Sequence, residues 1–375
     1  MLKKFNLLSF CKDNLDLSIA FILALISSFL VEFNFGSLVK ALNLEVLLLL
    51  ACLMLVVAGF RLIGILDFCY KKCFALVANT RSLARLFIFI NFFISMLVTN
   101  DVSLIIFVPL AINAFILIGR KDLLIPVVSL QTIAANMGSM LTPIGNPQNL
   151  FIYTYFSYDI LSFFKVTAPT FLVCFFLLMV FTHHIDTNSL KIGKSKITAV
   201  DKKKAYAFSA LFLLCILCVL NVLNVYIVGS IVVIAVFFIS KSLFSKVDYK
   251  LLSLFLLLFI FVHNITNFEG LREFCFEFVG HYEYFVSLCL SQIISNVPAT
   301  VMLSTFVKDP DALLLGVNVG GLGTIIASMA SLISFKAYVK VEGAKPLYYL
   351  KKFTKYNLKF LLILIVLHFV IPSLF

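Results

Sequence analysis

Charge is scarce in this chain of 375 residues: Asp, Glu, Lys and Arg together make up 13%, while 62% of positions are hydrophobic. A soluble domain is about a quarter charged and roughly half apolar. So little charge excludes a single core closed off from water, and lipid must be the solvent for much of the surface. Tryptophan is absent, and the aromatic content is led by 42 Phe. No G-x-x-x-x-G-K-[ST] occurs, so direct ATP drive is not encoded. H-E-x-x-H is missing too, and His183, His184, His263, His281 and His368 stand near span ends without a His/Cys cluster. That excludes a transition metal of catalytic type. With no nucleophile–base pair at membrane depth either, an intramembrane enzyme is disfavoured and the expectation is a protein that is not an enzyme.

Nine Cys are present, mostly inside apolar runs, where they act as small hydrophobes. Cys215 and Cys218 form a lone C-x-x-C without a second pair, which is no redox or metal motif in that setting. The net charge of +12 collects in the gaps between apolar runs and does not follow a helix face. It therefore reads as membrane topology and not as a nucleic-acid surface. No convincing cleavage site follows Lys3, Lys4, Lys12 and the run from Leu17 to Val31, which reads as a first span and not a removed signal.

A span needs about 20 mostly apolar residues. Such runs occupy 15–33, 44–60, 86–119, 122–158, 163–182, 205–221, 225–240, 251–267, 284–307, 312–335 and 357–374. Three do not suit a single helix. The run 86–119 is too long and carries Thr99-Asn100-Asp101 in its middle, and 284–307 carries Ser295-Asn296-Val297. The run 122–158 contains NMGSMLTPIGNPQN, whose paired Gly and Pro preclude regular helix. From His183 to Lys204 there are six Lys against two Asp, and from Phe335 to Lys359 seven Lys against one Glu. Residues 268–283 instead carry Glu269, Glu273, Glu277 and Glu283 against Arg272. Basic gaps belong in the cytoplasm, which puts the N-terminus inside and the C-terminus outside. The two long runs then become hairpins that enter from opposite faces.

The expected fold is an all-α polytopic membrane protein: an inverted repeat with two re-entrant hairpins and two broken transmembrane helices, a recurrent transporter design. The first repeat is 1–182, with hairpin 86–119 and broken helix 122–158. Residues 183–224 form a basic cytoplasmic loop and linking span. The second repeat is 225–375, with hairpin 284–307 and broken helix 312–335. Irregular backbone at membrane depth is tolerated only where it faces protein or a wet cavity, so the breaks mark a central polar site.

Candidate substrate and ion ligands follow from that placement. The first half offers Thr99, Asn100, Asp101 and Ser103, then Asn136, Gly138, Ser139, Thr142, Gly145, Asn146, Gln148 and Asn149. The second half offers Ser295, Asn296 and Thr300, then Asn318, Gly320, Gly321, Gly323, Thr324, Ser328 and Ser331. Carbonyls released at the breaks, with Asn and Thr oxygens, suit a hard cation such as sodium near Asn100, Gly138, Asn296 and Gly323. Adjoining helix N-termini suit an anion. No Lys or Arg lies at either tip or break, so an anion must be held without basic side chains. Asp101 is an acid at membrane depth and thus a functional candidate that binds a cation or a proton; the alternative is a vestibule or capping role. No cofactor is expected beyond the coupling proton or sodium.

These motifs resemble the ion transporter superfamily that contains divalent anion/sodium symporters, citrate transporters and arsenite permeases. VTNDVSLIIFVPLA resembles its first hairpin tip and AANMGSMLTPIGNPQNLFIY the unwound helix that follows. SNVPATVML resembles the second tip and GVNVGGLGTIIASMASLIS its unwound partner. The resemblance implies a homodimer in the cytoplasmic membrane, a scaffold, a transport domain moving as an elevator, and a small anion carried with a cation. By analogy Asn100, Gly138, Thr142, Asn146, Asn296, Gly320, Gly323 and Thr324 surround ions and substrate. Sodium/dicarboxylate members usually carry Ser-Asn-Thr at both tips, and the Asn-Asp pair here is nearer the arsenite-permease branch. An arsenite or antimonite exporter and a sodium/proton antiporter therefore stand as alternatives to an anion symporter.

Overall fold

The computed structural model describes residues 15–31, 36, 42–64, 77–189 and 201–370. The basic clusters at Lys3, Lys4, Lys12, Lys71, Lys72, Lys191, Lys194 and Lys196 lie outside the described residues. Helices dominate: α1 (Leu15–Ser28), α2 (Leu44–Leu62), α3 (Thr80–Val98), α4 (Asn100–Leu117), α5 (Leu124–Ser139), α6 (Pro147–Tyr155), α7 (Ile160–His183) and α8 (Lys202–Val219). Then follow α9 (Val225–Ile239), α10 (Tyr249–Thr266), α11 (Glu269–Gly280), α12 (Glu283–Ile294), α13 (Asn296–Leu303), α14 (Pro310–Gly320), α15 (Met329–Val339) and α16 (Pro346–Val370). Among the described residues the only β-pairing is one isolated bridge, Asn79 with Ser189. Among the described residues six helices (α2, α3, α4, α7, α10 and α16) are long and apolar enough to cross a membrane.

Short polar residues open many of these helices. The side chains of Asn79, Asp159, Asp201, Asn224, Asp248 and Asp309 each accept a bond from the first turn they precede. That satisfies donors which hydrocarbon cannot. Asn79 and Ser82 form a reciprocal capping box, which starts the first hairpin at Thr80, earlier than the apolar run alone indicates.

Two hairpins share one build. In the first, α3 and α4 meet at Thr99 with φ 72° and ψ 149°; in the second, α12 and α13 meet at Ser295 with φ 75° and ψ 152°. The second hairpin is shorter, because α13 ends at Leu303.

Their bases sit at opposite ends of α7. The Thr80 hydroxyl, at the start of the first hairpin, donates to Asp186 Oδ1 at 2.7 Å. Arg120, just past its end, pairs with the same Asp186 at 2.8 Å. Asp186 follows the C-terminus of α7. At the second hairpin, Glu283 accepts from the backbone N–H groups of Lys308 and of Asp309, the latter at 2.8 Å. Nearby Asp311 accepts from the hydroxyl of Tyr158, which precedes the N-terminus of α7. The 24 residues of α7 span about 36 Å, enough to cross a membrane. The hairpins are thus inserted from opposite sides. α16 agrees, since His368 and Phe369 at its far end stack on Tyr284 and Phe285 at the base of the second hairpin.

Two main apolar cores form. One joins α2, α8, α9 and α10 with α6, α13 and part of α14. The other joins the first hairpin, α5, α7, α12, α15 and α16.

Candidate functional site

Each broken helix stops where its sequence frees the backbone. α5 ends at Ser139, the chain turns through Met140–Asn146, and α6 restarts with Pro147 in its first turn and Asn146 as its cap. α14 ends at Gly320, and α15 restarts behind the cap Ser328. Each tip is pinned to the break of its own half. Asn100 N–H donates to Gly145 O at 3.0 Å, and Asn296 N–H donates to Ala327 O at 3.0 Å. Thr142 Oγ1 donates to Met96 O at 2.6 Å, and Thr324 Oγ1 donates to Gln292 O at 3.2 Å. One constant offset along the chain relates Asn136 to Asn318, Gly138 to Gly320, Thr142 to Thr324 and Asn146 to Ser328. A second offset relates Met96 to Gln292, Thr99 to Ser295 and Asn100 to Asn296.

The halves are joined by buried side-chain amides. Asn146 Nδ2 donates to Asn318 Oδ1 at 3.1 Å, Asn318 Nδ2 to Asn149 Oδ1 at 2.7 Å, and Asn149 N–H to Asn146 Oδ1 at 2.9 Å. These three bonds close a ring across the two breaks. Beside it, Asn100 Nδ2 and Ser328 Oγ donate to Asn136 Oδ1 at 3.0 and 3.1 Å. Asn136 Nδ2 donates in turn to Gly321 O at 3.3 Å. Ser139 Oγ accepts from Asn146 Nδ2 at 3.1 Å. Fully partnered networks of this kind fix one geometry, since any orphaned member is costly in a low dielectric.

Other expected residues have different surroundings. A Cβ at Gly138 would stand 1.9 Å from Phe92 O, so this glycine lets α5 lie against α3. Gly320 plays the same part between α14 and α12, where a Cβ would meet Ser291 and Leu288. Gly323 adopts φ +114°, open to glycine and to few other residues. Thr300 Oγ1 bonds back to Asn296 O at 2.7 Å within its own helix. Asp101 lies in the first turn of α4, half-buried, and its Oδ1 is enclosed with no hydrogen-bond partner among the described residues. Gln148 and Ser331 are buried.

Some polar residues were not singled out in the sequence. Gln292 Nε2 donates to Gly320 O at 2.6 Å and Leu322 O at 2.8 Å, and its Oε1 accepts from Thr324 N–H at 3.0 Å. Asn91 Oδ1 accepts from Ser103 Oγ at 2.8 Å inside the first hairpin. Thr132 Oγ1 donates to Ser334 Oγ at 2.7 Å between the halves. The signal available was an amide inside an apolar run, as in LCLSQII and FIFINFF.

At the first hairpin's base Arg120 binds Asp122 at 2.7 Å and Asp186 at 2.8 Å. The hydrogen bond from Arg120 is the main cause that holds both carboxyls below their ordinary pKa, and its bonds to Asp122 and then Asp186 raise that of Arg120. A cavity of about 570 Å³ opens elsewhere, between α2, α6, α10 and α13, lined by Glu45, Tyr155, His263 and Ser304 among others. None of the expected site residues lines it.

The citrate transporter family model matches residues 7–333. The inner membrane protein YbiR of Escherichia coli K12 is 30% identical over 317 residues, covering 82% of this chain and 84% of that protein. The uncharacterized transporter MJ0456 of Methanocaldococcus jannaschii is 33% identical over 252 residues, covering 66% of this chain and 69% of that one. The YdaH transporter of Alcanivorax borkumensis, a crystal structure described as revealing an unusual topology, aligns with TM-score 0.52. That alignment covers 96% of this chain and 97% of that one at 16% identity, a likeness of fold alone. Apolar helices, opposed hairpins and a family match over most of its length lead to one assignment: the chain is a multi-pass membrane transporter belonging to the citrate transporter family.

Proposed function

We propose that this transporter is a secondary one, carrying a small anion across the cytoplasmic membrane together with a cation, proton or sodium, that Asp101 takes up. The observation that carries the reading is the meeting of four helix N-termini and one carboxylate. α4, α6, α13 and α15 all begin within the tip and break network, at Asn100, Asn146, Asn296 and Ser328. Each such end presents N–H groups and roughly half a positive charge. Together they suit an anion without any Lys or Arg among the candidate ligands. The enclosed Oδ1 of Asp101, without a partner among the described residues, supports the coupling role, because a lone carboxylate in such a place takes up a proton or a cation.

The repeats are assigned as residues 1–182 and 225–375, linked by 183–224. The candidate ligands are Thr99, Asn100, Asp101, Asn136, Ser139, Thr142, Asn146, Asn149, Ser295, Asn296, Thr300, Asn318 and Thr324, with backbone at Gly138, Gly145, Gly320, Gly321 and Gly323. The reading includes a fixed scaffold and a transport body that slides against it, as an elevator does, within a homodimer. Six Lys follow the end of α7 between residues 183 and 204, and seven Lys fall between 335 and 359. That bias assigns those ends and the N-terminus to the cytoplasm and the C-terminus to the outside.

The test uses purified protein in proteoliposomes, screened with carboxylates, sulfate, phosphate and arsenite under imposed proton or sodium gradients. One anion class should accumulate only with a gradient, and Asp101→Asn should lower gradient-driven uptake by at least about tenfold. Undiminished and still gradient-dependent uptake by Asp101→Asn refutes the coupling role.

A further inference from the structure

The carbonyls exposed where α5 and α14 end are oxygen ligands at negative helix ends, the setting in which a cation is expected. Both sets are already filled. In the second break, Gln292 Nε2 lies 2.6 Å from Gly320 O and 2.8 Å from Leu322 O. In the first, Asn149 Nδ2 lies 3.0 Å from Met140 O, 3.2 Å from Thr142 O and 3.4 Å from Ser139 O. The orientation of each amide is determined by its partners. Carbonyls only accept, so the atom facing them is nitrogen. The other end of Gln292 faces Thr324 N–H, and that of Asn149 faces Asn318 Nδ2, so both are oxygen.

We propose that the carboxamide NH2 groups of Gln292 and Asn149 are built-in substitutes for bound cations, one in each break, leaving Asp101 as the sole cation-exchanging group of the tip and break network. An NH2 group carries two hydrogens, and two short acceptors use both. The carbonyls that face Gln292 Nε2 are Gly320 O, Leu322 O and, at 3.5 Å, Leu288 O of its own helix, and a hard cation in its place would complete its shell with water. The two plugs come from different elements. Gln292 stands on the hairpin, where Met96 is its counterpart; Asn149 stands on the restarted helix, where Ser331 is its counterpart. Each repeat therefore meets the same need for a positive group by its own side chain. The inference rests on the transporter reading of the breaks and narrows where its coupling ion binds.

The experiment measures thermal unfolding of the purified full chain in detergent, in sodium chloride against choline chloride at equal concentration, at about pH 8 so that carboxyls are ionised. In the Asp101→Asn background with Gln292 intact, no sodium-specific shift is expected. Adding Gln292→Glu replaces the NH2 by a carboxylate oxygen facing carbonyls, and sodium should then raise the midpoint by at least about 2 °C. Gln292→Ala, which empties the cage without adding charge, is the second variant if the first does not fold. A sodium shift that survives Asp101→Asn with Gln292 intact overturns the proposal. So does a folded Gln292→Glu or Gln292→Ala protein blind to sodium. Failure of the transporter reading looks different: no anion accumulates in vesicles, whatever sodium does to the midpoint.

Discussion

Replacing Thr99 by glycine should stabilise the protein, although a side chain is removed. Thr99 sits at φ 72° and ψ 149°, a region populated almost solely by glycine. For a β-branched residue the placement is a genuine outlier. Strain of this kind amounts to about 1–3 kcal/mol, and branching argues for the upper half of that range. Glycine adds freedom to the unfolded chain, which returns about 0.5–1 kcal/mol of the gain. The half-buried Thr99 side chain makes no hydrogen bond among the described residues, so little else is forfeited. The expected net gain is about 1 kcal/mol. Ser295 has the same backbone, at φ 75° and ψ 152°, but is not branched, and its hydroxyl reaches Ala327 O only at 3.5 Å. Ser295→Gly should therefore gain roughly half as much. Alanine keeps the strain and loses the contacts, so Thr99→Ala should be no more stable than wild type. The assay is thermal or denaturant unfolding of the purified variants, where a kcal/mol is worth about 2 °C. The order glycine, wild type, alanine is the prediction. If Thr99→Gly is less stable than Thr99→Ala, the tip is not strained and the reasoning fails.

Gly138→Ala should sharply lower the yield of folded protein, because its methyl would stand 1.9 Å from backbone oxygen of Phe92; Gly119→Ala, at φ +73° with open space around it, should cost only about 1 kcal/mol. Equal yields from these two variants, read by size-exclusion chromatography, would contradict the packing argument. Arg120 holds the Asp122 and Asp186 carboxyls below their ordinary value, so their contribution is present above about pH 4 and is lost as pH falls through the depressed values. Arg120→Ala should therefore lower stability only slightly above about pH 4, as suits exposed pairs, and the difference from wild type should vanish as pH falls below that, which flattens the acid limb of the stability–pH curve.

Membership in the membrane class, the order of elements and both broken helices were legible in the chain because they rest on local chemistry. Scarce charge forces lipid as the solvent. Asn146-Pro147 and Gly320-Gly321 stop and restart helices wherever they stand. The fourfold motif series at TND, GNPQN, SNV and GGLG marked the tips and breaks, and the ring of Asn146, Asn149 and Asn318 lies among the residues it pointed to. What each residue does there was not legible. Gly138 and Gly320 pack helices, Thr142 and Thr324 fasten breaks to hairpins, and Thr300 bonds to its own helix.

Gln292 shows why. In one dimension it is a single amide in an apolar run, and nothing near it in sequence needs a donor. Only folding brings Gly320 O and Leu322 O within 2.6 and 2.8 Å of its nitrogen. The positive φ at Thr99 and Ser295 was equally hidden, since neither residue prefers that backbone, and the contacts of Asn100 and Asn296 with the two breaks hold it there. Composition and helix-breaking residues act through local free energies, and these determine the class, the spans and the breaks. Which carbonyl meets which amide depends on backbone brought together from opposite ends of the chain, and that pairing the tertiary structure alone decides.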